Sequence, residues 1–442
     1  MKRNVSKLFV PLILTVVFVI PIMLQPSLVK ATPDAGDAWS EPVNITPILN
    51  DGYLNYKNSL LVDDQSNIHV VYYSRTSDAG PTEIFYVSNK TGEWVNTQIS
   101  NQGSYAVQYE PVIASDSRGV LHIMWTGLIS GKGEIFYTNN TNNVWHTPVN
   151  VTNTVDISET GVSFVIDSAD NIHLVYSVGD NVYYTNRTYS GVWATPKQLF
   201  TSPYKVISIE WIDITVSAGD KLYIGVKALN GTGGFNYHNI YSFDGVSSSP
   251  VFASGNLSDS DLFSLTADRH GYAHLAYNLL DDSGYSLIYQ FYNGSAWGAR
   301  EVILNGTVEG FNSIYSPSIS CDYDGKPHIA VIVEELIYKI LYTNKTQGVW
   351  NSPVLVVGDE DFYSYTTNIQ IDKKGFAHIV FDYYPSISES QIVYTHTLEP
   401  VGTAWPIPPP IPGDLTLIII IIAGVSAAGV IAGISVYMLK KH

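Results

Sequence analysis

One phrase recurs seven times between residues 60 and 380, once in degenerate form: an apolar run, an aspartate, a tight turn, and a histidine or its stand-in six residues after the aspartate. The histidine positions follow one another at intervals of 53, 51, 50, 51, 54 and 50 residues. A fixed period of this size is typical of repeat proteins, whose units must stack on neighbours to bury their apolar faces. The copies are Asp63 to His69, Asp116 to His122, Asp167 to His173, the degenerate Ser217 to Tyr223, Asp268 to His274, Asp322 to His328, and Asp372 to His378.

Each copy predicts four short strands joined by tight turns. In the second copy the predicted strands are 111–115, 120–126, 134–138 and 144–151, with turns at 116–119 and 139–143. Repeated units of four strands describe the blades of a β-propeller. The predicted fold class is therefore all-β.

A tryptophan marks the fourth strand, and this second series fixes the predicted number of blades. The first tryptophan strand precedes the first blade, whereas the last blade has no such strand of its own. We expect the N-terminal strand 39–45 to pair into the last blade, because closure removes the exposed sheet edges. Seven blades match both series, and six or eight would leave one unmatched. The series is Trp39, Trp94, Trp145, Trp193, residues 249–252 as a degenerate copy, Trp297 and Trp350.

The repeated Asp and His are predicted to be structural. A histidine can serve as a metal ligand or a general base, but equivalent positions in a ring of blades lie far apart, so one site cannot use six of them. Each imidazole is expected to form a hydrogen bond within or between blades, and each Asp to cap its own turn. The tryptophans are expected to pack between blades.

The repeats resemble those of sialidase-like propellers of the BNR or Asp-box type. The resemblance rests on the Asp and Gly turn, the third strand Glu134, Ile135, Phe136, Tyr137, and the fourth-strand Trp, and it covers residues 39–397. It departs from that pattern in placing the turn between the first and second strands and in using His where an aromatic is usual. The resemblance specifies the fold better than the activity.

Sialidase activity would require features that the sequence does not supply. Sialidases use three arginines for the substrate carboxylate, a Tyr and Glu nucleophilic pair, and an Asp acid. After the N-terminal 31 residues the arginines are Arg75, Arg118, Arg187, Arg269 and Arg300. Three of these, at 118, 187 and 269, fall in turns predicted on the face opposite the usual site. No catalytic residue is therefore predicted.

Both ends of the chain predict export and anchoring. Residues 1–31 combine a basic start with an apolar stretch and resemble a secretory signal peptide, with an uncleaved anchor as the alternative. Residues 32–402 form the predicted ectodomain, 403–414 a proline-rich stalk, 415–439 a transmembrane helix, and 440–442 a cytoplasmic tail. Gly429 and Gly433 could support a weak transmembrane dimer. The predicted location is the cell membrane, with one span and the propeller outside.

Charge and composition exclude some classes of function. The formal net charge of −17 disfavours a nucleic-acid partner. The single cysteine allows no internal disulfide, and no motif predicts a cofactor or a metal site.

The face that carries the fourth-to-first and second-to-third connections is the predicted binding face, because propeller sites usually open there. Aromatic and acidic residues at the starts of the first strands could stack on sugars or hold a cation. The alternative is that these are ordinary, partly buried strand-start residues. The candidate ligand-binding residues are Tyr56, Tyr109, Glu110, Glu210, Asp261, Tyr315, Tyr365 and, in a second-to-third loop, Arg75; Thr160 and Glu159 occupy the corresponding place in the third blade.

Ten Asn-x-Ser/Thr sequons predict glycosylation at several sites of an exported domain. They begin at Asn44, Asn89, Asn139, Asn150, Asn186, Asn230, Asn256, Asn293, Asn305 and Asn344. Together with the stalk and span, they give the chain a resemblance to archaeal surface proteins.

The leading hypothesis is a membrane-anchored extracellular module that binds glycans or surface proteins without catalysis. One alternative is a sialidase-like enzyme that processes glycosides, and another is an architectural component of the cell surface.

Overall fold

The computed structural model describes most of the repeat region of the 442-residue chain. The described residues are 38–47, 58–75, 81–101, 107–154, 156–201, 206–230, 236–243, 248–251, 262–358, 362–386 and 389–406. The chain divides into two units, residues 1–404 and 405–442. The predicted signal peptide, most of the stalk, the spanning helix and the tail lie outside the described residues. Within the described ranges, no helix has the length and apolar character that crossing a bilayer would need.

The described strands form seven antiparallel sheets, which we number by their order along the chain. A short strand, β1 (Val43–Asn44), precedes them. Sheet one holds β2 (Ser59–Val62), β3 (Ile68–Arg75), β4 (Thr82–Ser88) and β5 (Val95–Gln98). Sheet two holds β6 (Gln108–Ser115), β7 (Leu121–Ile129), β8 (Lys132–Asn139) and β9 (Val149–Asn150). Sheet three holds β10 (Thr160–Ile166), β11 (Ile172–Val178), β12 (Asn181–Arg187) and β13 (Lys197–Thr201).

The remaining sheets repeat this order. Sheet four holds β14 (Val206–Val216), β15 (Leu222–Asn230), β16 (Asn236–Phe243) and β17 (Ser248–Val251). Sheet five holds β18 (Phe263–Ala267), β19 (Ala273–Asp281), β20 (Gly284–Tyr292) and β21 (Glu301–Asn305). Sheet six holds β22 (Ser313–Cys321), β23 (Pro327–Glu334), β24 (Tyr338–Thr346), β25 (Val349–Trp350) and β26 (Val354–Val357). Sheet seven holds β27 (Thr367–Ile371), β28 (Ala377–Ser386) and β29 (Glu389–His396). Two short helices, Thr141–Asn143 and Gly306–Glu309, lie in connections.

The N-terminal strand completes sheet seven, as the offset of the two sequence series predicted. Val43 of β1 lies opposite Tyr394 of β29, and Trp39 bridges to Thr397. The all-β class and the pairing of this strand are thus confirmed.

Apolar cores lie between consecutive sheets. Each of the seven hydrophobic clusters combines side chains of two neighbouring sheets, and one of them joins sheet seven to sheet one. The first strand of each sheet contacts the first strand of the next, and β27 contacts β2. No sheet buries its apolar side chains alone, so the interfaces between sheets supply the stabilising burial.

The repeated aspartates cap their turns. In the fifth copy Asp268 accepts hydrogen bonds from the backbone N–H groups of His270 and Tyr272, both at 2.9 Å. The third residue after the Asp has positive φ in every copy, and glycine at four of these positions adopts it without a steric cost. These residues are Ser66, Gly119, Asp170, Asp220, Gly271, Gly325 and Gly375.

The repeated histidines connect the Asp turn to the third strand. In six copies the imidazole Nδ1 lies 2.7–2.8 Å from a tyrosine hydroxyl of its own sheet, and Nε2 lies 3.0–3.8 Å from the turn carboxylate. Because an ionised carboxylate only accepts, Nε2–H of His69, His173 and His274 donates to it and Nδ1 accepts from the tyrosine. In the copies with His122, His328 and His378, Nε2 lies 3.3–3.8 Å from the carboxylate. The structural role predicted for Asp and His agrees with this geometry.

The tryptophans pack against these same tyrosines across the sheet interfaces, as predicted. Five of them contact the tyrosine of the preceding sheet, with ring centroids 5.0–5.8 Å apart, whereas Trp297 contacts Tyr292 of its own sheet at 5.3 Å. The pairs are Trp145 with Tyr86, Trp193 with Tyr137, Trp350 with Tyr289, Trp39 with Tyr342, and Trp94 with Tyr394. The last pair joins sheet one to sheet seven.

Candidate functional site

The two ends of the strands define two faces of the repeat unit. The face that carries the Asp turns we call the turn face, and the face on which the first strands begin and the second strands end we call the tyrosine face. On the latter, six tyrosines from sheets five, six and seven gather into what we call the tyrosine cluster. Its members are Tyr285, Tyr315, Tyr338, Tyr363, Tyr365 and Tyr384.

The rings of the cluster follow one another across sheet boundaries. Tyr285 and Tyr315 have centroids 6.4 Å apart, and Tyr315 stacks on Tyr338 at 6.1 Å with 8° between the ring planes. Tyr338 is 5.4 Å from Tyr363. These spacings are those of aromatic pairs in contact, so the rings form a continuous surface.

The third sheet of the cluster is held by backbone pairing as well as by ring contact. The backbone groups of Tyr363 and Tyr384 exchange hydrogen bonds of 3.1 and 3.0 Å. Tyr365 meets Tyr384 edge to face at 5.5 Å. Tyr363 and Tyr365 are 47 and 45 % exposed, so the cluster presents aromatic surface to solvent.

One carboxylate is built into the cluster. The hydroxyl of Tyr315 donates to Glu334 Oε2 at 3.0 Å. Burial, followed by the charge of Glu334 and the neighbouring tyrosines, raises the pKa of Tyr338. Tyr338 therefore stays neutral at physiological pH and offers a hydroxyl group beside a flat apolar ring.

Asp382 positions the segment that carries the exposed tyrosines. Its Oδ1 accepts hydrogen bonds from the backbone N–H groups of Tyr365 and Thr366, at 2.9 and 2.7 Å, and from Ser364 Oγ at 3.0 Å. Its Oδ2 is buried and finds no hydrogen-bond partner within the described residues. Burial raises the pKa of Asp382 to about 6, against the opposing effect of these donors.

A cavity opens among the first strands, next to the cluster. It encloses about 700 Å³ including its open mouth, and all seven first-strand segments contribute to its wall. Ser316 and Thr366, which directly follow two cluster tyrosines, both line it. Trp211 and Phe263 supply aromatic wall, and Asp213 accepts from Ser163 Oγ at 3.1 Å. Hydroxyl, amide and aromatic groups thus surround one space.

The structure brings together only part of the predicted site. Tyr315 and Tyr365 both belong to the tyrosine cluster. Tyr109 and Glu110 lie in β6 of sheet two, and Arg75 ends β3 of sheet one. Burial and the neighbouring Glu110 raise the pKa of Tyr109 to about 12.

Glu110 adopts an unusual backbone conformation. Its φ is 54°, within a β-bulge that shifts the register between Tyr109 and Val112. Its Oε2 is buried and has no hydrogen-bond partner among the described residues. The corresponding residue of sheet three is Gly161, with φ of 62°.

Three predicted residues lie where the structure cannot place their side chains. Tyr56 and Asp261 fall outside the described residues, and Glu210 lies within β14 without a described side chain. Among the described residues, no group of three or more His, Cys, Asp or Glu side chains is arranged as a metal site.

Most residues of the tyrosine cluster were not predicted as site residues from the sequence. Tyr338 and Tyr285 stand at the starts of third strands, Tyr384 near the end of a second strand, and Glu334 ends β23. The prediction compared only the residues that precede the first strands, so residues from other strands on the same face were left out. The excess of tyrosine, 31 residues, was the signal that such a surface existed.

The predicted glycosylation asparagines differ in exposure. Asn293 is exposed, Asn44, Asn89, Asn139, Asn150, Asn186 and Asn305 are partly buried, and Asn344 is only 9 % exposed. The Nδ2 of Asn344 donates to the Val401 carbonyl at 3.3 Å. Asn256 lies outside the described residues, and Asn230 has no described side chain.

Comparison with solved structures relates the fold to glycan-active enzymes. An ulvan lyase from a new polysaccharide lyase family, bound to a -[GlcA(1-4)Rha3S]- saccharide, is 13 % identical, covers 82 % of this chain and 94 % of its own, and has a TM-score of 0.56. The intramolecular trans-sialidase of Ruminococcus gnavus is 13 % identical over 77 % of this chain and 94 % of its own, with a TM-score of 0.40. A leech intramolecular trans-sialidase is 11 % identical over 78 and 68 %, with a TM-score of 0.42.

No protein-family model matches the sequence, and no curated protein matches it either. The ulvan lyase, with a TM-score of 0.56 over 82 % of this chain, has a similar fold. At 13 % identity the likeness to the ulvan lyase describes the fold alone.

Proposed function

We propose that the chain is a closed seven-bladed β-propeller whose tyrosine face binds glycans without catalysis. The tyrosine cluster is the observation that carries this proposal. Flat, neutral aromatic rings stack on the C–H faces of sugar rings, while tyrosine hydroxyls and a carboxylate offer hydrogen bonds to sugar hydroxyls. Tyr363 and Tyr365 expose ring surface, and Tyr315 brings Glu334 to the same place.

The fold supports this reading at a coarser level. Seven sheets with interfaces all the way round, and β1 paired with β29, agree with seven blades in a ring. The ulvan lyase is described with a bound saccharide, which is consistent with a glycan role for this architecture. The choice of glycan as ligand rests on the tyrosines rather than on that likeness.

Catalysis of the sialidase type is the second candidate, and the arginines argue against it. Arg118 bonds Asp116 and lies 4.7 Å from the Tyr189 ring, Arg187 lies over Tyr137, and Arg269 lies 3.8 Å from a tyrosine ring. All three belong to the turn face, away from the tyrosine cluster. They are therefore in the wrong place to bind a substrate carboxylate beside the tyrosines.

Export, anchoring and glycosylation complete the proposal. Val401 and Gly402 donate to the Gly375 carbonyl at 2.9 Å, and Thr403 donates to Asp322 Oδ2 at 2.6 Å, so the chain leaves the repeats on the turn face. Residues 401–403 thus lie on the face opposite the tyrosine cluster, and residues 415–439 are proposed to form the membrane helix. Asn293, being exposed, is the first glycosylation site to expect.

Binding can be tested on the purified full-length chain in detergent. A glycan array identifies a ligand, and titration then gives its affinity for the wild type, Tyr363→Ala, Tyr365→Ala and the control Tyr189→Ala. Tyr189 is 58 % exposed but lies on the turn face. We expect each of the first two variants to bind about 10-fold more weakly, through lost ring contact, and the control to bind as the wild type does.

A panel of fluorogenic glycosides separates the alternatives. Turnover that survives purification would support the enzyme and overturn the non-catalytic part of the proposal. A chain that binds no glycan on the array would support the architectural role and overturn the proposal as a whole.

A further inference from the structure

Two neighbouring sheet interfaces share one polar arrangement. Glu83 in sheet one and Glu134 in sheet two are 1 and 3 % exposed. The isoleucine after each donates its backbone N–H to a hydroxyl, Ser100 Oγ at 2.8 Å or Thr152 Oγ1 at 3.0 Å. That hydroxyl in turn donates to the glutamate carboxylate. The repeat thus places one buried, hydrogen-bonded carboxylate at the same position twice.

The following sheet contributes a different residue to each interface. Gln108 and Glu159 both stand just at the start of a first strand, at the same distance in sequence from His122 and His173. Both are 1 % exposed. Gln108 is neutral, and its Oε1 accepts from Trp125 Nε1 at 2.6 Å. The interface between sheets two and three instead carries two carboxylates.

Glu134 and Glu159 differ in how many of their carboxylate oxygens have a hydrogen-bond partner. Glu134 accepts from Thr152 Oγ1 at 2.7 Å and from the Thr154 backbone N–H at 3.2 Å, so both of its oxygens have hydrogen-bond partners. Glu159 Oε1 accepts from Thr154 Oγ1 at 2.9 Å, whereas its Oε2 is buried without a hydrogen-bond partner in the described part of the chain.

Within the described ranges, neither Glu134 nor Glu159 forms an ion pair with a basic side chain. Burial, followed by the charge of Glu134, raises the pKa of Glu159, and no basic side chain contributes to its shift. Two ionised carboxylates in the interior are costly unless a cation or a proton neutralises them. The Thr154 hydroxyl joins the two glutamates, donating to Glu159 Oε1 at 2.9 Å and to Glu134 Oε1 at 3.4 Å, and carboxylate and hydroxyl oxygens are hard ligands.

We infer that the interface between sheets two and three binds Ca²⁺ through Glu134 and Glu159, with Thr154 and water completing the shell. Ca²⁺ takes oxygen ligands in irregular geometry, whereas Mg²⁺ needs a near-ideal octahedron and gives up its water reluctantly. The connection above the pair is open to solvent, because residues 156–158 are exposed. The ion would fasten this connection to the sheets on either side of it.

The interface between sheets one and two supplies a matched control. The full-length chain in detergent is treated with EDTA, and its Tm is then measured with increasing CaCl2 at neutral pH. We expect Ca²⁺ at about 100 times its Kd to raise the Tm of the wild type by roughly 5 °C. Glu83→Gln should keep this response, and Glu159→Gln, which reproduces the neutral Gln108, should lose it.

A second measurement does not depend on the thermal transition. Tyr176 is sensitive to the charge of both glutamates, so Tb³⁺ in the site should show tyrosine-sensitised luminescence that Ca²⁺ displaces. Glu159→Asp keeps the charge but shortens the reach, and we expect it to bind at least 10-fold more weakly than the wild type. An equal response in Glu159→Gln, or no Ca²⁺ response in the wild type, would overturn the inference. So would a rise of Tm on acidification that Glu159→Gln abolishes, since a proton on Glu159 would then be the neutralising partner.

Discussion

The pKa values of the carboxylates are shifted in opposite directions on the turn face and on the tyrosine face. On the turn face, burial would raise the pKa of each repeated Asp, but hydrogen bonds from backbone N–H groups and side chains outweigh it and lower the pKa. The residues are Asp63, Asp116, Asp167, Asp268, Asp322 and Asp372. On the tyrosine face, burial prevails and raises the pKa of Glu159 and Asp382. In both Glu159 and Asp382, one carboxylate oxygen is buried and has no hydrogen-bond partner among the described residues.

This contrast separates framework from function. A carboxylate whose oxygens accept hydrogen bonds from the protein's own donors stabilises the fold. Its oxygens are then not available to bind a ligand. A carboxylate left partly unsatisfied costs stability, and such costs are typical of functional sites. The repeat supplies the first kind in six copies, whereas among the described residues the second kind is found at Glu110, Glu159 and Asp382.

Removal of a turn-face carboxylate should have the largest effect. In Asp268→Ala the backbone N–H groups of His270 and Tyr272 lose their acceptor, and His274 Nε2 loses its partner at 3.3 Å. Because these groups are buried or half-buried, we expect the free energy of unfolding to fall by about 3 kcal/mol. Denaturant titration measures it.

The fourth sheet offers the control for this prediction, since it carries Ser217 in place of the Asp. Ser217→Ala should change the free energy of unfolding by less than about 0.5 kcal/mol, because the Ser217 hydroxyl is buried without a partner among the described residues. Glycan affinity of folded Asp268→Ala should match the wild type. Loss of affinity without loss of stability would mean that the turn face takes part in binding.

The two faces should also respond oppositely to pH within one sheet. Burial alone would raise the pKa of Asp372, but hydrogen bonds from His378, Ser66 and the Phe376 backbone lower it to about 2. Its stabilisation is therefore present above pH 4 and lost as the pH falls towards 2. Asp382, with its pKa raised to about 6, holds its proton more tightly when folded, so its stabilisation is lost as the pH rises from 4 to 6.

Asp382→Asn isolates the second of these effects. Asparagine keeps an oxygen for the Tyr365 and Thr366 backbone N–H groups and removes the buried charge. We expect the variant to be more stable than the wild type by about 2 kcal/mol at pH 7, with the difference vanishing below pH 4. Unfolding titrations at pH 4, 5, 6 and 7 measure it. A difference independent of pH would show that Asp382 does not titrate in this range.

The fold was predictable because its signals repeat. Seven copies of an Asp turn gave the period, and the offset between the histidine and tryptophan series predicted that residues 39–45 join the last sheet, where Val43 pairs with Tyr394. Individual strand ends were less predictable. The fourth strand of sheet two was predicted at 144–151 but spans only Val149–Asn150; near Trp145, His146 N–H still donates to the Asn139 carbonyl at 2.9 Å, without a continuous ladder.

The site was predictable only in part because it does not repeat. Tyr315 and Tyr365 were found from their place before a first strand. Tyr338 and Glu334 come from other strands, and only the three-dimensional arrangement of sheet six places them beside Tyr315. Glu159 was a candidate because it precedes a first strand. Glu134, the second buried carboxylate, was predicted only as part of a third strand.

The backbone at Glu110 offers the smallest and most specific test of the contrast. A non-glycine residue with φ of 54° is strained by about 1 kcal/mol, and Gly161 occupies the same bulge in the next sheet at φ of 62°. Glu110→Gly should therefore raise the free energy of unfolding by about 0.5–1 kcal/mol, also because it removes a buried, unsatisfied oxygen. Gly119→Ala, at φ of 76° on the turn face, should lower it by a similar amount. Denaturant titrations of both variants check the signs. If Glu110→Gly lowered the free energy of unfolding, the Glu110 carboxylate would stabilise the fold. The contrast between the carboxylates of the turn face and those of the tyrosine face would then not hold at this residue.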